Sequence, residues 1–259
     1  MNYLTLGSVW KMENTYALDF IKYHKSIGIE KFIILDREYN QLKEMIKNEP
    51  DVEVLHYPDT AENVHAEGWA SLIRHCDGKT KWLALIDADE ALVPVKTNDV
   101  KEILKDYEEF AALQFNWTTL GSGGQDKKEV GSLYERFTMR AKLNEGINNH
   151  CQFIVQPHRS TYNRCLDPHH PNLKPGEISV NTNKQQVNGP FNTPQLHDIL
   201  YVAHYITKSR EEWDIKNAKG RGDIFGQKIA YTDFDAHNSI CNQEKEIRMS
   251  DLWNRACGK

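Results

Sequence analysis

Apolar residues in the first 120 positions fall into short unbroken runs, separated by stretches where they recur at helical spacing. The runs at residues 3–10, 31–35, 52–55, 82–86 and 111–117 predict five strands, because a strand buried on both faces reads as a continuous apolar segment. Between them, residues 15–27 place Ala17, Leu18, Ile21 and His24 on one helical stripe, with Phe20 and Ile27 beside it, and Gly28 ends that helix. Residues 40–48, closed by Pro50, residues 61–76, carrying Val64, Trp69, Leu72 and Ile73, and residues 98–107 complete the helical set. Strands joined by helices in this rhythm predict right-handed βαβ units and a mostly parallel sheet covered on both faces. In such sheets, ligands gather at the carboxyl ends of the strands. Three of those ends carry polar groups here: Lys11 and Glu13, Asp36, and Asp87 with Asp89.

The second half reads differently. Residues 121–131 are a glycine-rich, charged loop, and residues 133–159 predict strands with a turn at 144–146. Residues 160–198 concentrate Pro, Asn and His and predict a long loop. A strand at 199–205 follows, then a helix opened by Ser209 with Glu212 as a capping box and ending near Gly220. A last amphipathic helix is expected around 243–256. There is no internal repeat.

Composition narrows the classes. The 259 residues carry 37 acidic and 32 basic side chains for a net charge of −5, so no general basic footprint for nucleic acid exists. No apolar run approaches the roughly 18–20 residues of a membrane span. The opening residues lack the basic and apolar regions of a signal peptide and read as a first strand. Cys76, Cys151, Cys165, Cys241 and Cys257 are odd in number and widely spaced, which favours free thiols in a reducing cytosol over zinc or disulfides. The sequon at Asn116 lies in an expected strand and is read as chance.

The sharpest local feature is Asp87-Ala88-Asp89. On an extended chain, residues i and i+2 point the same way, so two hard oxygen donors would face one point just beyond a buried strand. That pattern suits Mg²⁺ or Mn²⁺ shared with a substrate phosphate.

Several blocks in order resemble glycosyltransferases of family 92, the DUF23-like group. Residues 11–14 with 20–29, the strand 82–90, Phe115-Asn116-Trp117 with the loop 121–124, residues 134–137, residues 154–157, and His204-Tyr205 through Lys216 carry the likeness, which spans roughly residues 5–222. The resemblance implies a GT-A, Rossmann-like α/β fold in one domain, with a nucleotide-sugar half at 1–120 and an acceptor half at 121–259. It implies transfer of a hexose or pentose from a nucleoside-diphosphate sugar to a glycan hydroxyl, with Mn²⁺ or Mg²⁺ as cofactor. By position, Asp87, Asp89 and His204 would hold the metal. Asp36 would meet the base or ribose, and Lys208, Lys216 and Arg221 would meet the diphosphate beside Lys11 and Glu13. Leu35-Asp36-Arg37-Glu38 departs from the family's segment after the second strand, Ala91 replaces a phenylalanine, and Gln125 replaces a histidine.

An inverting transferase needs a base for the acceptor hydroxyl. Asp126 is the first candidate, with Glu90 and Asp198 in reserve. His150, His158, His169, His170 and His197 read as loop histidines, with His169-His170 as candidates for the acceptor pocket, and Trp117 and Tyr162 as candidates for stacking on a sugar. Two rival functions are a sugar-nucleotidyltransferase, which would need a glycine-rich basic loop that residues 8–12 lack, and a non-catalytic glycan-binding module.

Overall fold

The computed structural model describes the chain except residues 12, 39, 58–63, 164–166 and 220–232. The elements are, in order, β1 (Asn2–Trp10), α1 (Ala17–Ser26), β2 (Lys31–Asp36), α2 (Asn40–Met45), β3 (Val52–His56), α3 (Val64–Cys76), β4 (Thr80–Leu85), β5 (Glu90–Pro94), α4 (Val100–Leu104) and β6 (Ala112–Thr119). The second half adds α5 (Leu133–Arg136), β7 (Met139–Arg140), β8 (Cys151–Val155), β9 (Ser179–Val180), β10 (Leu200–His204), α6 (Arg210–Lys219), α7 (Phe234–Cys241), β11 (Glu244–Lys245) and α8 (Arg248–Ala256).

Among the described residues, one nine-stranded sheet runs β3-β2-β1-β4-β8-β6-β10-β5, with β9 beside β6. The first four strands pair in parallel, as expected from their apolar runs. β8 is antiparallel to both β4 and β6, which returns β6 to the direction of β4, and β10 runs parallel to β6. The carboxyl ends of β1, β2, β4, β6 and β10 therefore share one edge, and β5, antiparallel to β10, begins there.

Each face of the sheet has its own core. One is built around Trp69, Leu72 and Ile73 of α3 against Val9, Leu35 and Leu85, and the other joins α1, α4 and α8 to the opposite face. On α1 the buried stripe is Ala17, Phe20, Ile21, Tyr23 and His24, while Leu18 is exposed. Gly28 ends the helical segment with φ +101°, and a Cβ there would lie 2.1 Å from Oδ1 of Asp99, the residue that caps α4.

β6 anchors the described parts of the long loop, which hold little regular structure. All eight of its residues are buried, and its polar side chains alternate. Gln114 donates to the carbonyls of His169 and Gly189, and Asn116 donates to those of Asn148 and Asn192. Asn116 is fully buried, so its sequon is closed in the folded protein.

The structure departs from the sequence reading at four places. Residues 90–94 form a strand that the sequence hid, because its first residue is a fully buried glutamate. Residues 133–159 hold the short helix α5 as well as the two strands β7 and β8, which pair with other elements and not with each other. Residues 234–241 are helical, capped by Asp233. The last helix begins at Arg248, since residues 244–245 pair with β7. Among the described residues, no helix is long and apolar enough to cross a membrane.

Candidate active site

The shared edge brings together Lys11, Asp36, the Asp87–Glu90 segment and His204, followed by the glycine loop after β6. The chain order reverses between β1 and β4, where a doubly wound sheet opens a crevice. Asp198 precedes β10, at its other end. Six residues at about 3.3 Å each put it roughly 20 Å from His204, which removes it from this edge.

Asp87 to Glu90 do not continue the strand. The Glu90 N–H donates to the Asp87 carbonyl (3.1 Å), closing a turn between β4 and β5. The period-two argument for the two aspartates therefore fails, and turn geometry presents them instead. Glu90 folds back to hold that turn: its Oε2 accepts from the Asp87 N–H (2.8 Å) and from Gln152 Nε2 (2.9 Å). With no exposed surface, and with its carboxyl raised well above the usual range by burial and then by Asp87, Glu90 has no route to an acceptor hydroxyl. It is a structural acid.

Asp89 is 6% exposed, and its Oδ2 lies 2.5 Å from Nζ of Lys216 on α6. Burial alone would raise its pKa, but the Lys216 ammonium, with His204 and Lys208 beyond it, holds the carboxyl below its usual range. His204 Nε2 lies 3.8 Å from the other Asp89 oxygen. Burial pushes that imidazole down to about 3, so it is neutral. Its buried Nδ1 makes no hydrogen bond among the described residues and sits 3.9 Å from Glu90 Oε1.

Two further cations border the same space. Lys208 is buried, has φ +52°, and reaches Glu13 Oε2 at 2.6 Å. Burial would lower its pKa, yet the carboxylates of Glu13 and Asp89 raise it. Lys128, from the glycine loop, donates to Thr15 Oγ1 (2.9 Å) and lines one small cavity with Lys208, Lys216, Glu13 and Tyr16. At the end of β1, Lys11 is lowered by burial and by neighbouring Arg37, itself lowered by burial. Asp36 is fully buried, and its Oδ1 accepts the Glu38 N–H (3.0 Å), so it shapes the turn that carries Arg37. Arg37 adjoins the expected Asp36, whereas Lys128 escaped the sequence reading because only the fold brings it to this edge. Arg221 lies outside the described residues.

The glycine loop is held from behind. Ser122 N–H donates to Asn238 Oδ1 (2.8 Å) and Gly123 N–H to Asn242 Oδ1 (2.9 Å), both from the α7 segment. A Cβ on Gly121 would lie 2.3 Å from Asn242 Oδ1, so only glycine permits this approach. The carbonyls of Gln125 and Asp126 in turn accept the N–H groups of Arg210 and Glu211, capping α6. The Asp126 side chain is 78% exposed and lies 3.7 Å from Arg210 Nε.

A buried network fixes the start of α6. Arg136 and Glu212, each 6% exposed, pair at 3.2 Å. Tyr16 hydroxyl accepts from Arg136 Nη1 (2.8 Å) and donates to Glu212, and Ser209 Oγ donates to Glu212 Oε2 (2.6 Å). Ser209 and Glu212 thus form the expected capping interaction, closed by an arginine from α5.

Trp117 is buried against three imidazoles. It stacks on His150 (4.6 Å, 17°) and meets His169 (5.0 Å) and His204 (4.3 Å) edge-on. Tyr162 is elsewhere, hydrogen-bonded to Asp77. His170 contacts Gln114 Oε1 (3.2 Å) and His197 the Trp117 carbonyl (2.8 Å).

Among the described residues, no group of three or more His, Cys, Asp or Glu is already arranged to hold a metal ion. A Mg²⁺ or Mn²⁺ shared with substrate phosphates needs one or two carboxylates rather than an all-protein cage. Asp87, the ionised Asp89 and the neutral His204 imidazole have the donor chemistry for such an ion.

The model of glycosyltransferase family 92 matches residues 8–188, more than half of the chain. No curated protein matches it. Among solved structures, it is similar to HddC from Yersinia pseudotuberculosis, with 7% identity and a TM-score of 0.41, covering 70% of this chain and 90% of that one. It is also similar to 4-diphosphocytidyl-2C-methyl-D-erythritol synthase, with 9% identity and a TM-score of 0.41, covering 65% and 82%. Likenesses of that size carry no argument about chemistry.

Proposed function

Since the chain belongs to glycosyltransferase family 92, we propose that it moves a sugar from a nucleoside-diphosphate sugar to a hydroxyl of a glycan, with a divalent cation at the Asp87–Asp89 turn. The observation that carries this reading is the meeting of that acidic turn with Lys216 and Lys208. A donor diphosphate needs both signs in one place: carboxylates for a cation, and ammonium groups for its own oxygens. When bound, Mn²⁺ or Mg²⁺ would act as a Lewis acid on the departing diphosphate.

In this reading the protein's own groups do the rest. Asp87, Asp89 and His204 hold the ion. Lys208 and Lys216 stabilise charge that grows on the leaving diphosphate, and their fixed placement costs no reorganisation. Lys11 and Glu13 border the nucleotide at the β1 end, and the buried Asp36 shapes the turn after β2 rather than meeting the base or ribose itself. Asp126, exposed at the correct edge, takes the acceptor hydroxyl's proton in an inverting reaction. Residues 1–120 serve the donor and 121–259 the acceptor within one domain, with His204, Lys208 and Lys216 reaching across to the donor diphosphate. Cys76, Cys151 and Cys241 are free thiols among the described residues, in keeping with the reading of a reducing cytosol.

Calorimetry with UDP, GDP, CDP and ADP, with and without Mn²⁺, tests the donor site. Binding of at least one diphosphate that needs Mn²⁺ and is lost in Asp89→Asn supports the reading. Metal-independent binding, or binding unchanged in the variant, contradicts it.

A further inference from the structure

Lys208 and Lys216 border the acidic turn, and each rests on a carboxylate. Lys208 Nζ lies 2.6 Å from Glu13 Oε2, and Lys216 Nζ lies 2.5 Å from Asp89 Oδ2. The two pairs differ in freedom. The Lys208 side chain is 6% exposed, and its backbone at φ +52° is in the left-handed region that side-chain-bearing residues rarely adopt. The Lys216 side chain is 24% exposed and projects from α6 on a flexible four-carbon stem. It can swing without moving its helix, whereas Lys208 is fixed.

Two demands meet at Asp89. Its carboxylate is nearly buried and ionised, so it needs a cation beside it. Among the described residues, Lys216 supplies the ammonium on that carboxylate. The transferase reading places a divalent ion on the same carboxylate and Lys216 on the donor diphosphate. An ion and an ammonium sharing Asp89 would be like charges in a water-poor site, where they repel strongly. An ammonium held on Asp89 is also largely neutralised as a partner for phosphate.

A place to receive the displaced ammonium exists. Lys216 lines one cavity with Lys208, Lys128, Thr15 and Tyr16. Lys128 and Lys208 already flank the Tyr16 ring there, with Nζ 5.9 Å and 5.5 Å from its centre. Lys216 turned into that cavity would bring three ammonium groups to bear on one anion.

We propose that Lys216 is an exchangeable counter-ion: it holds Asp89 until a divalent ion takes that carboxylate, and then turns into the cavity to bind an oxygen of the donor diphosphate. Binding is therefore ordered, cation before diphosphate, and each ligand strengthens the other. The inference rests on the transferase reading for the two ligands and adds the order and the residue that enforces it.

Mn²⁺ titrations followed by electron paramagnetic resonance, without nucleotide, test the first half. Lys216→Met should bind Mn²⁺ about tenfold more tightly than the parent, the ordinary weight of one charge-assisted hydrogen bond removed from competition. Lys216→Arg, which keeps the charge, should stay close to the parent. Acetylation of lysines read by mass spectrometry follows the side chain itself: Mn²⁺ alone should speed modification of Lys216 severalfold and leave Lys208 unchanged. Calorimetry with UDP, GDP, CDP and ADP at saturating Mn²⁺ tests the second half. There the order reverses, and Lys216→Met should bind the preferred diphosphate about tenfold more weakly than the parent. The exchange is overturned if Lys216→Met binds Mn²⁺ no more tightly than the parent, if Mn²⁺ leaves Lys216 acetylation unchanged, or if the variant binds the diphosphate as the parent does. Any of these results, with Mn²⁺ binding still lost in Asp89→Asn, removes the exchange and leaves the cation site standing. Failure of the parent and Lys216→Met alike to bind Mn²⁺ overturns both.

Discussion

The Nζ of Lys216 lies 2.5 Å from Oδ2 of Asp89, so the acidic turn after β4 carries a cation supplied by a helix 127 positions later in the chain. Asp89 is nearly buried, and a carboxylate there without a partner costs about 1–3 kcal/mol or more. Lys216→Met should therefore lower the melting temperature in metal-free buffer. Mn²⁺ should recover more stability in this variant than in the parent. Thermal denaturation with and without Mn²⁺ measures both, and equal shifts in the two proteins would argue against a cation site at Asp89.

Arg136 and Glu212 are a buried pair whose partners lie on separate elements. Removing one charge strands the other, at a cost of about 3–5 kcal/mol. Glu212→Gln should destabilise the protein by that order in urea denaturation, whereas replacing both residues by apolar ones should cost far less.

The pH dependence of stability should carry the mark of His24. Its Nδ1–H donates to the Phe20 carbonyl (2.8 Å), and its Nε2 accepts the Leu92 N–H (3.3 Å), which fixes the neutral ring. Burial pushes its pKa down to about 3 from 6.5. Between those values the unfolded chain binds a proton that the folded chain does not, so stability falls as pH falls. The slope is about 1.4 kcal/mol per pH unit for this group. His24→Gln should be less stable near neutrality and should show a flatter acid limb in urea midpoints measured from pH 7 to 4.

The two exposed aspartates should part company. Asp126→Asn should lower turnover about 100-fold, the ordinary weight of a general base. Asp198→Asn, at the opposite end of β10, should leave turnover within about twofold, since surface changes away from a site are close to neutral. Steady-state assays of the two variants decide the point.

The parallel half of the fold was legible because its strands are buried on both faces and read as apolar runs. β5 was not, since it opens on Glu90, a buried acid held in place by the Asp87 N–H and Gln152. Asp87 and Asp89 were found by residue type and position, but through a strand geometry they do not have. Lys208 and Lys216 followed from a family motif, and the contacts to Glu13 and Asp89 give that motif a physical reason. Lys128 depends on contacts between distant segments, and no local spacing announces it. The same is true of the long loop, ordered by amide side chains of β6 rather than by its own sequence.

The central claim is that the Asp87–Asp89 turn and its lysines handle a nucleoside-diphosphate sugar. Release of nucleoside diphosphate from a panel of such sugars, in the presence of Mn²⁺, tests it most directly. The account predicts release from at least one donor, with Asp89→Ala slower by about 100-fold or more. Release from no donor, or equal release by the variant, would contradict it.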